Sequence, residues 1–219
     1  MADDNTGSVV DHQSFGEEIA NSVIHGIGAA LSVAALVLLV VFAAKQGDAW
    51  KIVSLSVFGT SLVILYLMST LSHAISAPKV KRFFELMDFA SIYILIGGTY
   101  TPIMLIYLRG QHGWTMFGVI WGFAILGILS KIFLLGKWDF MSVVFYILMG
   151  WGLVIVFKPL IKNAPMGLLK WIAAGGLCYT CGTFFYLYRK MPYHHPVWHL
   201  FVLAGSTCHF FGFLLFTVR

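Results

Sequence analysis

Seven long apolar runs constrain this chain more than anything else in it. They read Ile19–Ala44, Ile52–Ile75, Phe83–Leu108, Trp114–Leu135, Phe140–Val156, Gly167–Tyr188 and Pro196–Val218. Each lies close to the roughly 17 to 25 residues that an α-helix needs to cross bilayer hydrocarbon. With no water in that layer, every backbone N–H and C=O must be satisfied internally, which an α-helix achieves within a single run. The pattern predicts an all-α integral membrane protein, a seven-transmembrane helical bundle with its termini on opposite sides. Composition agrees, since 59% of the 219 residues are hydrophobic and 11% charged, whereas soluble domains are about half apolar and about a quarter charged.

The connections are Lys45–Lys51, Ser76–Arg82, Arg109–Gly113, Gly136–Asp139, Phe157–Met166 and Arg189–His195, too short for a second domain. A polar tail, 1–18, and a single membrane domain, 19–219, are expected. The first seventeen residues hold Asp3, Asp4, Asp11 and Glu17 and no Lys or Arg, the reverse of a signal peptide's basic start, so the first run is expected to remain as a span. Trp50, Trp114, Trp138, Trp171 and Trp198 fall near span ends, where amphipathic rings favour the headgroup region. The net charge of +5 is scattered singly through the loops rather than gathered in a patch, so lipid headgroups are the expected counter-charge and nucleic acid is not. Cys178, Cys181 and Cys208 all fall inside spans and read as small buried apolar side chains.

Loops on the N-terminal side carry seven Lys and Arg and the other side also seven, so the positive-inside count is tied. The Lys79-Val80-Lys81-Arg82 cluster leans the N-terminus toward the cytoplasm.

Ionisable groups at membrane depth cost several kcal/mol, so each is a functional candidate until a partner explains it. They are His25, His73, Asp88 with Glu85, Lys131, His199 and His209, with His194 and His195 at the mouth of the last span. Counting crossings puts the end of span two and the starts of spans three and seven on one face, so His73, Asp88, His195 and His199 share a leaflet. His209 lies about 15 Å deeper than His199 at helical rise. Ser69 and His73 stand at i and i+4, as do His195 and His199, so each pair shares a helix face. A catalytic zinc takes three protein ligands and leaves the fourth position to water; His73, His195 and His199 supply that set. Neutral imidazoles leave the ion's charge unbalanced, which Asp88 would offset while accepting a proton from the attacking water, and Ser69 could orient that water or a developing oxyanion. The outfit suits metal-assisted hydrolysis of a lipid ester or amide. Pro196 pushes the residue before it away from helical geometry, which makes His195 a possible cap and His194 a possible substitute ligand.

At Glu17-Glu18-Ile19-Ala20-Asn21 with His25-Gly26, at "STLSHA", at "LMDFASIYILIGGTYTP" and at "HHPVWHLFVLAGSTCHFF", the chain resembles the haemolysin III branch of the progestin and adipoQ receptor family, relatives of the alkaline ceramidases. The resemblance implies a seven-span bundle with zinc held by His73, His195 and His199, and with Asp88 and Ser69 beside the metal and its water. It further implies a cytoplasmic N-terminus, and the short tail is similar to bacterial members, which places the chain in a bacterial cytoplasmic (inner) membrane.

Blander roles are expected elsewhere. His25 and His209 read as core histidines bonded to neighbouring helices, His12 and His112 as solvated, and Glu85 as an interface carboxylate near Lys81 or Arg82. Lys131 is expected to snorkel to its interface. Asp88 could simply favour the positive end of span three. "GGTYTP" reads as close helix packing with a proline kink, and the glycines at 26, 28, 122, 127, 150, 152, 175 and 176 as packing residues. Three functions compete: a zinc-dependent hydrolase acting on membrane lipids, a lipid-sensing homeostasis protein, and a pore-forming cytolysin. The spans are poor in the polar side chains that a pore lining needs.

Overall fold

The computed structural model describes residues 13–134 and 139–219. Most of the tail with His12, and the expected connection with Gly136, Lys137 and Trp138, lie outside the described residues. Helix α1 (Phe15–Gln46) begins four residues before the expected Ile19 because Ser14 caps it. The Ser14 hydroxyl accepts from the Glu17 N–H at 3.3 Å, and the Glu17 carboxylate accepts from the Ser14 N–H at 2.8 Å. This reciprocal box turns the polar approach into helix. Gly47, left-handed at φ 68°, ends it, and Asp48 opens α2 (Ala49–Ala74) by accepting from the N–H groups of Trp50 and Lys51 at 2.9 and 3.4 Å.

Helix α3 (Pro78–Pro102) starts on a proline, harmless at a position whose N–H has no intrahelical partner. After Pro102 the winding relaxes into a π-helical stretch, Ile103–Tyr107, as expected for a helix that loses a donor. Helix α4 (Gln111–Leu134) takes in His112, which is therefore helical and not in a loop. Helices α5 (Asp139–Gly150) and α6 (Phe157–Asn163) are joined by a 3₁₀ stretch, Trp151–Val156. The expected loop over 157–166 thus shrinks to Ala164 and Pro165. Pro159 sits in the first turn of α6, where it removes no intrahelical bond. Helices α7 (Met166–Leu187) and α8 (His194–Phe213) follow, the latter running on as a π-helical stretch to Val218.

Among the described residues, six of the resulting rods are long and apolar enough to cross a membrane. The seventh, α7, is 22 residues long, about 33 Å at helical rise, with its apolar side chains diluted by Gly, Thr and Tyr. The bundle is inside-out compared with a soluble one. On α1 the buried positions are Asn21, His25, Gly28, Ala29, Ser32 and Ala35, while Val23, Ile27, Leu31 and Val37 face outward. Between helices in lipid, close approach and polar contacts decide association, and aliphatics are as content facing lipid as facing each other. Glycines carry the approach at Gly28 against Tyr66, Gly98 against Ser61 and Gly175 against His209. Gly122 and Gly150, expected to pack, face open space.

Helix α8 packs back against α1, and α2 against both α1 and α3. The last helix meets the first directly and reaches the second through Tyr66, whose hydroxyl donates to Ser206 Oγ at 2.8 Å, and that closure builds the site. Trp50 and Trp114 meet edge to face at 5.9 Å with Arg109 over Trp50, a cluster at one end of the bundle. Trp198 instead turns inward onto Tyr186, 5.8 Å between rings.

Candidate metal centre

Helix α8 settles the proline question first. His194 and His195 are its first residues and Pro196 its third, with Tyr193 outside as the cap at φ 56°. The first four N–H groups of a helix have no internal acceptor, so proline there breaks nothing, and the Val197 N–H already bonds the Tyr193 carbonyl at 3.1 Å. His195 is helical, and its ring meets that of His199 at 4.5 Å. The restriction on residues before proline is a preference that this first turn overrides. His194 points elsewhere, its Nδ1 3.2 Å from the Phe185 carbonyl.

His73, at the end of α2, comes to both. Its ring lies 5.3 Å from His195 and 5.1 Å from His199, and its Nε2 is 3.1 Å from the Nε2 of His199. One nitrogen from each of the three rings falls within 4.8 Å of the others, and they form the tight ligand group found among the described residues. Tetrahedral coordination with bonds near 2.0–2.1 Å separates two ligand nitrogens by about 3.3 Å, close to the 3.1 Å between His73 and His199. The tautomer agrees. His73 Nδ1 lies 2.6 Å from the Glu18 carboxylate, which makes Nδ1 the donor and leaves a lone pair on Nε2 facing His199.

Asp88 stands beside this group rather than in it. Its Oδ2 accepts from Ser69 Oγ at 3.2 Å and from Ser72 Oγ at 3.4 Å. It is the eleventh residue of α3, two turns beyond the reach of the helix dipole, so the N-terminal position does not explain it. Ser69, fully buried, reaches Asp88 from the same face of α2 that carries His73.

Two residues join the site that composition and spacing did not assign to it. Glu18 accepts from His73 and, through its other oxygen, from Lys81 Nζ at 2.8 Å. Lys81 gives this ion pair to Glu18 and not to Glu85, one turn along α3. His25, 2% exposed, lays its ring on His199 with centroids 3.7 Å apart, and neither of its nitrogens has a hydrogen-bond partner. Glu18, Asn21 and His25 stand at i, i+3 and i+7 on one face of α1; that spacing was the available signal. His209 keeps its expected distance, with Nε2 donating to the Ile172 carbonyl at 3.2 Å.

Next to the centre the bundle holds a cavity of about 130 Å³, partly open to the outside. Leu65, Phe89, Tyr186 and Trp198 form its wall beside the histidines, and Ile92, Leu95, Val143 and Leu153 continue it into the bundle. Lys131 belongs to this wall. It is 2% exposed with Nζ 4.5 Å above the Phe89 ring, so it does not snorkel, because α4 turns that face inward toward α3.

Fold and site together define a multi-pass membrane protein with a buried three-histidine site that could hold a metal. The haemolysin-III related family matches residues 13–210, and the chain belongs to that family. It is 46% identical over 202 residues to Hemolysin-3 of Bacillus cereus, covering 92% of each chain. It is 45% identical over 203 residues to a Hemolysin-3 homolog of Bacillus subtilis, covering 93% of this chain and 95% of the relative. More distantly, the human monocyte to macrophage differentiation factor is 28% identical over 209 residues, 93% of this chain and 85% of the relative, which extends the homology to the progestin and adipoQ receptor family.

Proposed function

We propose that this chain is a zinc-dependent hydrolase of lipid amide or ester bonds, held in the bacterial cytoplasmic membrane with its N-terminus and histidine centre toward the cytoplasm. The observation that carries the reading is the convergence of His73, His195 and His199 next to the Ser69 and Asp88 pair, with an apolar cavity behind Tyr186, whose ring lies 5.9 Å from that of His195. Imidazole donors suit zinc. A zinc ion there would polarise the scissile carbonyl and acidify water.

The chain's own groups supply the rest. The cavity takes the acyl tail and leaves the carbonyl at the histidines, in the way that apolar clefts with a few placed polar groups orient a ligand. Asp88 Oδ2 accepts the proton of the attacking water and returns it to the departing nitrogen or oxygen. Ser69 Oγ and Ser72 Oγ hold that carboxylate in place and, when it takes up a proton, can turn toward the developing oxyanion. Water adds to the carbonyl carbon, the carbon to nitrogen or oxygen bond breaks, and the products are a fatty acid and an amine or alcohol.

Elemental analysis of purified protein should find zinc, lost in His73→Ala and His199→Ala. Ceramide-like lipid amides should release fatty acid, and Asp88→Ala should abolish the release while keeping the metal. Protein without zinc would end the reading; zinc without release from any lipid amide or ester would leave a lipid-sensing role. The haemolysin names of the Bacillus relatives motivate a second reading, a pore-forming cytolysin. Metal-independent leakage of dye-loaded liposomes at low protein density would select it.

A further inference from the structure

We infer that Glu18 is the positioning residue of the histidine centre, fixing the tautomer and ring of His73, and that Lys81 straps it in place; the inference rests on the reading that the centre holds a divalent metal. The Glu18 carboxylate divides its two oxygens. Oε2 takes the His73 Nδ1 proton at 2.6 Å and Oε1 takes Lys81 Nζ at 2.8 Å. Lys81 also donates to the Ser72 carbonyl at 2.8 Å, the residue just before His73. One ammonium therefore holds both the carboxylate and the backbone that carries the ligand, and α1, α2 and α3 are joined at the mouth of the site.

The arrangement has a chemical consequence. His73 is the next-to-last residue of α2, where a helix end frays and a free ring would flip or exchange tautomers. A carboxylate on Nδ1 holds the proton there, keeps the Nε2 lone pair toward His199, and makes the imidazole a stronger donor. Such partners commonly set metal affinity by about 10- to 100-fold. Glu18 touches neither substrate nor metal; it acts through His73.

The test uses full-length protein in lipid nanodiscs. Zinc affinity is read by competition with a chromophoric chelator, ligand geometry by the visible spectrum of the cobalt-substituted protein, and the His73 tautomer by ¹⁵N-histidine NMR. Glu18→Ala should weaken zinc by about 10- to 100-fold, alter the cobalt bands, and let His73 populate both tautomers. Glu18→Gln, whose amide oxygen still accepts from Nδ1, should restore most of each. Lys81→Met should fall between wild type and Glu18→Ala. Thermal unfolding of the metal-free variants controls for a structural role: equal loss of zinc affinity in Glu18→Ala and Glu18→Gln, with equal destabilisation of both apo proteins, would overturn the inference. So would wild-type affinity and an unchanged tautomer in Glu18→Ala. A wild type that takes up neither zinc nor cobalt refutes the metal reading instead, and the tautomer measurement still decides whether Glu18 sets the ring.

Discussion

The same substitution, glycine to alanine, should have opposite signs at Gly28 and Gly118. At Gly28 on α1 a methyl carbon would stand 2.5 Å from Tyr66 Cδ1, 2.6 Å from Cε1 and 3.0 Å from Cγ. Ordinary contact begins near 3.4 Å, so the ring must retreat by about 0.9 Å. It has nowhere to go. Tyr66 is 1% exposed, its hydroxyl donates to Ser206 Oγ at 2.8 Å, and its face meets His25 at 5.0 Å. Overpacking of this kind costs about 1–3 kcal/mol, and losing the hydroxyl bond adds about 1 kcal/mol, so Gly28→Ala should destabilise by about 2–4 kcal/mol. Gly118 lies in α4 with no atom within 4 Å of a built Cβ. There the helix gains about 0.5–1 kcal/mol from the lost backbone freedom of glycine. At about 2–4 °C per kcal/mol for a chain of this size, thermal unfolding in nanodiscs should show Tm falling for Gly28→Ala and rising slightly for Gly118→Ala. Equal shifts, or a Gly28→Ala protein as stable as wild type, would refute the tight α1 to α2 packing on which the placement of His25 and His199 depends.

Other expectations follow from the same geometry. Gly176 lines the cavity with its nearest neighbour, Trp151, 4.0 Å from a built Cβ; Gly176→Leu should leave the fold intact and shift fatty acid release from long-chain toward short-chain lipid amides, measured by mass spectrometry. Ser14→Ala removes the cap of α1, about 1 kcal/mol, and releases one of the groups that hold Glu17, whose other oxygen accepts from the Tyr193 N–H at 2.9 Å; Tm should fall by a few degrees. Stripping the metal with a chelator should destabilise the wild type by about 2.7 kcal/mol where the ion had been present at a hundred times its Kd, read as a lower Tm, and should do nothing in His199→Ala.

The spans and the core of the site could be read from the chain because both are written in local spacing. Apolar runs declare helices one at a time, Ser69 with His73 and His195 with His199 declare helix faces, and counting crossings carries all four residues and Asp88 to one leaflet. What spacing cannot show is which face of one helix meets which neighbour. Glu18 falls in the expected polar tail and becomes part of the site only because Ser14 starts α1 early and its partners, 55 and 63 residues away in sequence, arrive on α2 and α3. Lys131 reads as a snorkelling cation because its distance from the helix end permits it, and only the packing of α4 on α3 sends it to Phe89. The α6 segment, with Lys158, Pro159 and Lys162, reads as a loop by polarity, although a proline in a first turn is compatible with helix. Pro196 misleads for the same reason. In each case a rule about a residue's neighbours in sequence yields to its position in a helix. Tertiary closure of α8 on α1 then brings His25 onto His199; the spacing of Glu18, Asn21 and His25 marks a shared face of α1 but not the helix that it meets.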